Sequence, residues 1–287
     1  METREEKNKK IRKKINHEKN INYSRNAIKI ILLLGCMFIL VFLSLRYFGT
    51  SFIKTKEYII KNENIPLSFH GVKIVHFSDL LYGSCVFEDE VNYLEEEFKR
   101  IKPDIVVFTG DIINNGYSLS KDELENLKEF FKNIPYTIGK YAVKGDYDLS
   151  TFDLIMNEAN FTILDNEYKL VYHEENTPIA LIGFNSNNLN LENVINDEIN
   201  NLYKIGLIHN FDYYDQSYNS NLILAGHNLN GEIYIPYYQG LLGNNKYNGR
   251  YYEINNSKVY ISNGIGSIHK FRMFNHPSIN VYRLYNN

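Results

Sequence analysis

Six acidic or imidazole side chains come just past apolar runs of the sequence, at the points where strands of a sheet would end. They are Asp79, Asp111, Asp146, Asp148, His209 and His227. In open α/β sheets, ligands bind at the edge formed by the carboxyl ends of the strands. Carboxylates and imidazoles gathered there suit a divalent ion of the Mn, Fe or Zn type. One Asp after a strand is usually a turn former or a helix cap, but six at the same topological position predict a metal site.

The apolar runs that precede these residues predict alternating strands and helices. Residues 72–77, 105–108 and 141–143 read as buried strands. Between the first two, apolar side chains from Val91 to Ile101 recur at helical spacing. Another helix begins at Ser120, which forms a capping box with Glu123. Later strand-like runs lie at 163–164, 170–172, 179–184, 205–209, 222–225, 259–262 and 279–284. The pattern predicts an α/β fold of two packed mixed β-sheets flanked by helices.

The order of the polar motifs resembles that of the calcineurin-like metallophosphoesterases. The likeness is greatest to their membrane-anchored bacterial branch, which is related to the UDP-2,3-diacylglucosamine hydrolases. The family has five motifs in the order D-x-H, GD, GN-H-D/E, a lone His and GH-x-H. In the same order, this chain has SDLL at 78–81, TGD at 109–111, GDYD at 145–148, IHN at 208–210 and GHNL at 226–229. The resemblance covers most of residues 70–287, including closing segments at 260–266 and 272–277. It implies the αββα sandwich of the family and metal-dependent hydrolysis of phosphate esters.

The resemblance also implies how two metal ions would be held. One ion would use the D-x-H pair, the GD aspartate and the second His of GH-x-H. The other would use the same aspartate, the GN asparagine, the lone His and the first His of GH-x-H. On this sequence the second set becomes Asp111, Asp146, His209 and His227, with an aspartate in place of the neutral asparagine. Four nitrogen and oxygen ligands suffice for one Mn, Fe or Zn ion.

Three residues depart from the family pattern. Leu81 and Leu229 stand where two histidine ligands of the first metal are expected. Only Asp79 and Asp111 would remain there, as a weak site for a second, hard cation. Tyr147 stands at the proton-donor position, and a phenol with a pKa of about 10 is a poorer acid at neutral pH than an imidazole at about 6.5. The hypotheses are therefore a weak or divergent phosphoesterase, a pseudoenzyme that keeps one metal, and an inactive cell-surface binding or structural domain.

Other polar residues have simpler interpretations. Asp148 is predicted to orient its loop by hydrogen bonding, as carboxylates next to metal ligands often do. His76, within the first strand, is predicted to pack in the core. For Arg250 and Arg272 the sequence leaves two interpretations, a phosphate ligand or a surface charge. Cys85 has no activating neighbour in the sequence and is predicted to be inert.

The first 50 residues predict a membrane anchor. Residues 1–29 contain ten Lys or Arg and four Glu, and residues 30–45 are uncharged. With its flanks, residues 27–48 are long enough to span a bilayer as one helix. A cleaved signal peptide is the alternative, but the basic region is long and no small-residue cleavage site follows. We expect a basic cytoplasmic tail (1–26), a transmembrane helix (27–48), a connector with an entry strand (49–70) and a metallophosphoesterase-like domain (71–287).

Charge and cysteine content limit the partners. The net charge of -3 does not favour nucleic acid as a partner. Two cysteines exclude a disulfide framework and a four-cysteine zinc site. The basic flank predicts a single-pass protein of the cell membrane with a cytoplasmic N-terminus and an extracellular main domain. That placement favours membrane lipid as a partner of the helix, and a phosphorylated lipid or cell-wall precursor as a ligand.

Overall fold

The computed structural model describes residues 3–174, 177–190, 194, 197–214, 220–235, 238–241 and 246–287. Two compact units are present, Met1–Arg46 and Tyr47–Asn287. The first unit is helical and belongs to α1 (Arg4–Ser51), whose apolar side chains between residues 30 and 43 are exposed. Among the described residues, α1 is the helix long and apolar enough to cross a membrane. It contains the predicted span, whose exact limits stay a prediction.

The second unit contains three further helices and fourteen strands within its described residues. The helices are α2 (Glu88–Ile101), α3 (Lys121–Asn133) and α4 (Ser150–Glu158). The first seven strands are β1 (Lys54–Lys61), β2 (Lys73–Phe77), β3 (Ile105–Phe108), β4 (Gly139–Ala142), β5 (Thr162–Ile163), β6 (Glu167–Val171) and β7 (Ile179–Phe184). The others are β8 (Lys204–Ile208), β9 (Leu222–Ala225), β10 (Ile233–Ile235), β11 (Tyr238–Leu241), β12 (Tyr251–Ile254), β13 (Ser257–Ile261) and β14 (Ser278–Tyr285).

The strands form two six-stranded mixed sheets and a short antiparallel pair, β10–β11. The first sheet has the order β1-β14-β2-β3-β4-β5 and the second β12-β13-β9-β8-β7-β6. In the first sheet β2, β3, β4 and β5 run parallel, and in the second β7, β8, β9 and β13 do. The central strands of both sheets therefore place their carboxyl ends at one edge of their own sheet, where the predicted site residues follow.

Three apolar layers hold the unit together. The helices α2, α3 and α4 cover one face of the first sheet, with Phe77, Phe108 and Phe131 at the centre of that layer. The inner layer lies between the sheets and includes Val107 and Leu207. A third apolar cluster covers the outer face of the second sheet. Two short 3-10 helices, Asp197–Ile199 and Phe211–Tyr213, contribute buried side chains to it. Because both faces of β3, β8 and β9 are covered, these strands read as continuous apolar runs rather than alternating ones.

The structure confirms the predicted fold of two mixed sheets flanked by helices. Strands Ile105–Phe108, Ile179–Phe184 and Leu222–Ala225 begin and end where the sequence placed them. Ser120 accepts a hydrogen bond from the Glu123 N–H, and the Glu123 carboxylate accepts one from the Ser120 N–H, as in the predicted capping box. The sequence interpretation did not include α4, the β10–β11 pair or β12.

Candidate metal centre

The predicted ligands follow strands of both sheets. Asp79 comes after β2, Asp111 after β3, Asp146 after β4, His209 after β8 and His227 after β9. The strands β2, β3 and β4 are parallel neighbours, as are β8 and β9, so each sheet delivers its residues at the same edge. Because the sheets pack face to face, the five side chains converge from both sides.

Several pairs of ligand atoms lie at distances that are typical of a metal site. The Nε2 atom of His209 is 3.2 Å from Asp111 Oδ2 and 4.0 Å from Asp146 Oδ2. The Nδ1 atom of His227 is 2.9 Å from Asp146 Oδ2 and 3.3 Å from His209 Nε2. Ligands of a tetrahedral zinc site, each about 2.0–2.2 Å from the metal, lie roughly 3.3–3.6 Å from one another. The observed separations are close to that range.

The structure divides these residues into two groups that share His209. Asp146, His209 and His227 have ligand atoms within 4.8 Å of one another, and so do Asp79, Asp111 and His209. The four predicted ligands therefore lie in one cleft, but Asp111 is grouped with Asp79 and is linked to His227 through the shared imidazole. His209, at the centre, is fully buried.

A backbone carbonyl sets the orientation of His209. Its Nδ1 atom is 2.6 Å from the carbonyl oxygen of Thr109. Because a carbonyl only accepts, Nδ1 carries the proton and Nε2 faces the cleft, as in many metal-binding histidines. Burial lowers the pKa of His209, but the charge and hydrogen bond of Asp111 and the charges of Asp79 and Asp146 outweigh it and raise the pKa to about 10. Negative potential of this kind attracts a cation.

Asp146 provides the observation that tests the fit of a metal ion. Its Oδ1 atom is buried and has no hydrogen-bond partner among the described residues. A hydrogen bond with His227 lowers the pKa of Asp146, so the carboxylate is charged at neutral pH. Buried charged oxygen atoms without a partner are rare in native proteins. Asp146, His209 and His227, with such an orphaned oxygen, could hold a divalent ion.

Asp148 holds the loops that carry these ligands. One of its carboxylate oxygens accepts from the N–H groups of Asp111 at 2.7 Å and Gly145 at 2.8 Å, and the other accepts from Ile112 N–H at 3.0 Å. The Tyr147 N–H in turn donates to Asp111 Oδ1 at 2.9 Å. This is the loop-orienting role that the sequence predicted for Asp148.

Glycines permit the close approach of these loops. Gly110 has a φ of 90°, and Asp111 after it has a φ of 62°. A β-carbon at Gly110 would meet the backbone of Gly145, and one at Gly145 would meet Asp111. Non-glycine residues with positive φ are uncommon and concentrate at functional sites. His227, with a φ of 68°, is a second example in this cleft.

Two leucines that replace histidines of the family pattern are buried. Leu81 is 1% exposed and Leu229 is 2% exposed. They pack against Gly266 and Gly264, respectively, in the segment that follows β13. Asp79 Oδ2 accepts from Ser78 Oγ at 2.5 Å and from His227 N–H at 3.1 Å, so it joins the two sheets. Asp79, Asp111 and His209 could still hold a metal ion, but without the two imidazoles that the family pattern has at Leu81 and Leu229.

Next to the retained ligands is a cavity of about 480 Å³. Asp146, Tyr147 and Asp148 line one side, and the rest of the lining mixes apolar side chains such as Leu119 and Phe152 with uncharged polar ones such as Asn114. None of its lining residues is Lys or Arg. Tyr147 is 39% exposed, and partial burial together with the charges of Asp111, Asp146 and Asp79 raises its pKa. The phenol at the proton-donor position is therefore a weaker acid than free tyrosine.

The structure agrees with the sequence prediction for His76 and Cys85 and differs from a surface position for Arg272. His76 is buried in β2, as predicted, with Nε2 at 2.8 Å from Thr109 Oγ1. Partial burial raises the pKa of Cys85 to about 11, in agreement with an inert thiol. Arg272 is not a surface charge: it is 1% exposed and donates to the carbonyl oxygens of Asn263, Gly266 and Asn275. Sequence alone gave no signal for that burial.

Comparisons with known proteins identify the family of this chain. Residues 72–262 match the family described as calcineurin-like phosphoesterase. An uncharacterized metallophosphoesterase of Bacillus subtilis, YkuE, is 27% identical over 255 residues, which cover 83% of this chain and 88% of that protein. A transmembrane protein with a metallophosphoesterase domain from Danio rerio is 23% identical over 74% of this chain and 53% of that protein.

A shorter match is to the UDP-2,3-diacylglucosamine pyrophosphatase LpxG of Chlamydia trachomatis. It is 30% identical over 94 residues, covering 32% of this chain and 28% of LpxG. The family match extends from the start of β2 to the end of β13 and so includes all five residues of the cleft. This chain belongs to the calcineurin-like phosphoesterase family.

Proposed function

We propose that this protein is a membrane-anchored, one-metal member of its family that binds a phosphate ester with little or no turnover. One divalent ion, Mn, Fe or Zn, would be held by Asp111, Asp146, His209 and His227. The observation that carries the proposal is the pair of imidazole nitrogens 3.3 Å apart, with Asp146 Oδ2 at 2.9 Å from one of them. A bound divalent ion supplies an electrophile for a phosphate oxygen.

The cavity beside Asp146 supports an uncharged or apolar group next to the phosphate. Apolar side chains in its lining, such as Leu119 and Phe152, offer contact area, and acidic side chains without a Lys or Arg in the lining disfavour a second anionic group. LpxG, by its name, acts on UDP-2,3-diacylglucosamine, a lipid-bearing molecule. Together with the candidate membrane helix, this supports a phosphorylated lipid or a cell-wall precursor as the ligand.

Low turnover follows from the residues around the retained centre. With Leu81 and Leu229, the first metal of the family pattern lacks two ligands. Two metal ions would then not be available to stabilise both the attacking and the leaving oxygen of the ester. Loss of a positioned general acid alone reduces rates by about 10²–10⁴-fold. Tyr147, with its raised pKa, does not replace an imidazole in that role.

A slow hydrolase is the second candidate. Asp111, the ligand shared by both metals in the family pattern, keeps its positioning contacts with Asp148 and Tyr147 N–H. A phosphate ester held next to that carboxylate would lie close to the cavity, where a leaving group can depart. The third alternative is an inactive domain without metal. A measurement of the metal content would support or exclude it directly.

Metal content and hydrolysis distinguish these functions. We would purify the full chain in dodecyl maltoside micelles, load it with Mn²⁺ or Zn²⁺, remove free ions and count the bound metal. About one equivalent per chain is expected, with clear loss in His227→Ala and none in His70→Ala, an exposed control. Unchanged content in His227→Ala would refute the proposed centre. Hydrolysis of an aryl phosphodiester that is absent in Asp111→Asn would establish the slow hydrolase instead.

The placement of the main domain outside the cell is part of the proposal. It rests on the basic flank of the helix, because positively charged segments stay in the cytoplasm. A protease added to intact cells should then digest the domain and spare residues 1–26. Digestion only after the membrane is broken would reverse the orientation.

A further inference from the structure

A group of five basic residues lies on or next to β1 and β12, which are edge strands of the two sheets, and in the segment that precedes β14. We define the basic cluster as Lys54, Lys56, Arg250, Arg272 and His276. Strand β1 pairs with β14 so that Lys54 is opposite Ser278 and Lys56 opposite Asn280. The Lys54 N–H also donates to the carbonyl oxygen of Pro277 at 2.8 Å, which brings β1 next to His276.

One asparagine joins the two arginines. Arg250 Nη2 donates to Asn275 Oδ1 at 3.1 Å, and Arg272 Nη1 donates to the Asn275 carbonyl oxygen at 3.3 Å. Arg250 also lies over the ring of Tyr234, with its guanidinium carbon 4.4 Å from the ring centre. His276 is the next residue along the chain, so three basic side chains are fixed around one short backbone segment.

Several buried nitrogen atoms of the basic cluster have no hydrogen-bond partner in the part of the chain that the structure describes. The Nε atoms of Arg250 and Arg272 and the Nδ1 atom of His276 are buried without a hydrogen-bond partner among the described residues. Within the same part of the chain, no carboxylate pairs with Lys54, Lys56 or Arg250. Buried donors in native proteins are nearly always satisfied, by protein, water or a ligand.

The pKa values of the cluster reflect the same concentration of positive charge. Burial, then the charges of Arg250, Arg272 and Lys54, lowers the pKa of Lys56 to about 7. Burial, then Lys54, Lys56, Arg272 and Arg250, lowers the pKa of His276. The charges that act on these two groups are all positive. Arg272 also faces two acidic groups, Glu232 and Asp79.

We propose that the basic cluster is a binding site for a phosphate group, either the headgroup of an anionic phospholipid or a free phosphate ion. Guanidinium and ammonium donors bind phosphate oxygens with charge-assisted hydrogen bonds. Lys54 follows the last residue of α1 by only three positions. The exposed rings of Phe48 and Phe52 nearby in the sequence suit the interface of a bilayer. This site is independent of the proposed function of the metal centre.

Binding measurements on the full chain test the site. The protein in dodecyl maltoside micelles is first stripped with EDTA, so that the metal centre does not contribute. Inorganic phosphate is titrated by calorimetry, and phosphatidylglycerol is added for native mass spectrometry. The test variant is Lys54→Gln/Lys56→Gln, since neither ammonium makes a hydrogen bond within the described residues. The control is Lys61→Gln/Lys169→Gln, which removes the same charge from exposed positions.

We expect at least a tenfold loss of affinity in the test variant and less than a twofold change in the control, since one hydrogen bond to a charged group is worth about a factor of ten. A lipid adduct that disappears in the test variant identifies the headgroup. Heat of phosphate binding without an adduct identifies the free ion. Arg250→Gln provides a second variant should the first unfold. No binding of either probe, or equal binding by all variants, overturns the site.

Discussion

Replacement of Asp148 by Asn tests the metal centre without changing a ligand. The carboxylate accepts three N–H groups, from Asp111, Ile112 and Gly145, at 2.7–3.0 Å. An asparagine has the same shape but only one accepting oxygen, so at least one N–H loses its partner. The loops that follow β3 and β4 would then move relative to each other, and Asp111 would move relative to Asp146.

The expected effect on stability is small because two terms oppose each other. An unsatisfied N–H costs about 1–3 kcal/mol. Against this, burial and the charge of Asp111 raise the pKa of Asp148 to about 6 from 3.8. Keeping that carboxylate charged at pH 7 costs about 3 kcal/mol, which a neutral amide avoids. The free energy of unfolding of Asp148→Asn should therefore change by less than about 2 kcal/mol.

Metal affinity should respond much more. Residues that orient ligands typically contribute about 10–100-fold to metal affinity. We would titrate Mn²⁺ or Zn²⁺ into the EDTA-treated full chain by calorimetry and check folding by circular dichroism. Asp153→Asn is the matched control, because it removes the same charge from a carboxylate that pairs with Lys144 at 2.8 Å on α4. A folded Asp148→Asn that binds within twofold of the unchanged chain, or an equal loss in the control, would refute the reasoning.

Three other outcomes are expected. Burial lowers the pKa of His76 to about 3 from 6.5. Below pH 6.5 the unfolded state therefore binds a proton that the folded state does not bind. The free energy of unfolding should fall by about 2 kcal/mol between pH 7 and pH 5 as a result. In His76→Phe, urea titrations at the two pH values should show a smaller fall in the free energy of unfolding. An unchanged fall would contradict the prediction. Restoring Leu81→His, Leu229→His and Tyr147→His together should raise aryl phosphodiester hydrolysis with Mn²⁺ by about 10²-fold or more, and no increase would place the loss elsewhere. Ser120→Ala should lower the free energy of unfolding by about 1 kcal/mol, measured by the same titration; no change would mean that the capping contact is not stabilising.

The sequence predicted those parts of the fold that depend on local patterns. Strands such as Ile105–Phe108 are covered on both faces and therefore appear as short apolar runs bounded by Gly and Asp. The residues of the centre follow such runs directly, so their position at the sheet edges could be inferred. Asp148 was interpretable because a carboxylate two residues from a ligand commonly holds the loop.

Features set by contacts between distant segments could not be inferred. The burial of Arg272 depends on carbonyl groups of Asn263, Gly266 and Asn275, which no local pattern brings together. Strand β12, with the pattern of a half-exposed edge strand, is defined by pairing with β13. The grouping of Asp111 with Asp79 depends on side-chain orientations across two sheets.

The order of strands in the first sheet has a consequence for biosynthesis. Strand β14, residues Ser278–Tyr285, lies between β1 and β2, which are the first two strands of the chain. On a translating ribosome, β1 and β2 would wait for more than 200 further residues before the strand that joins them is made. Until then the nascent chain carries two unpaired strand edges, which are templates for aggregation. Completion of this sheet therefore comes late and depends on protection of the earlier strands.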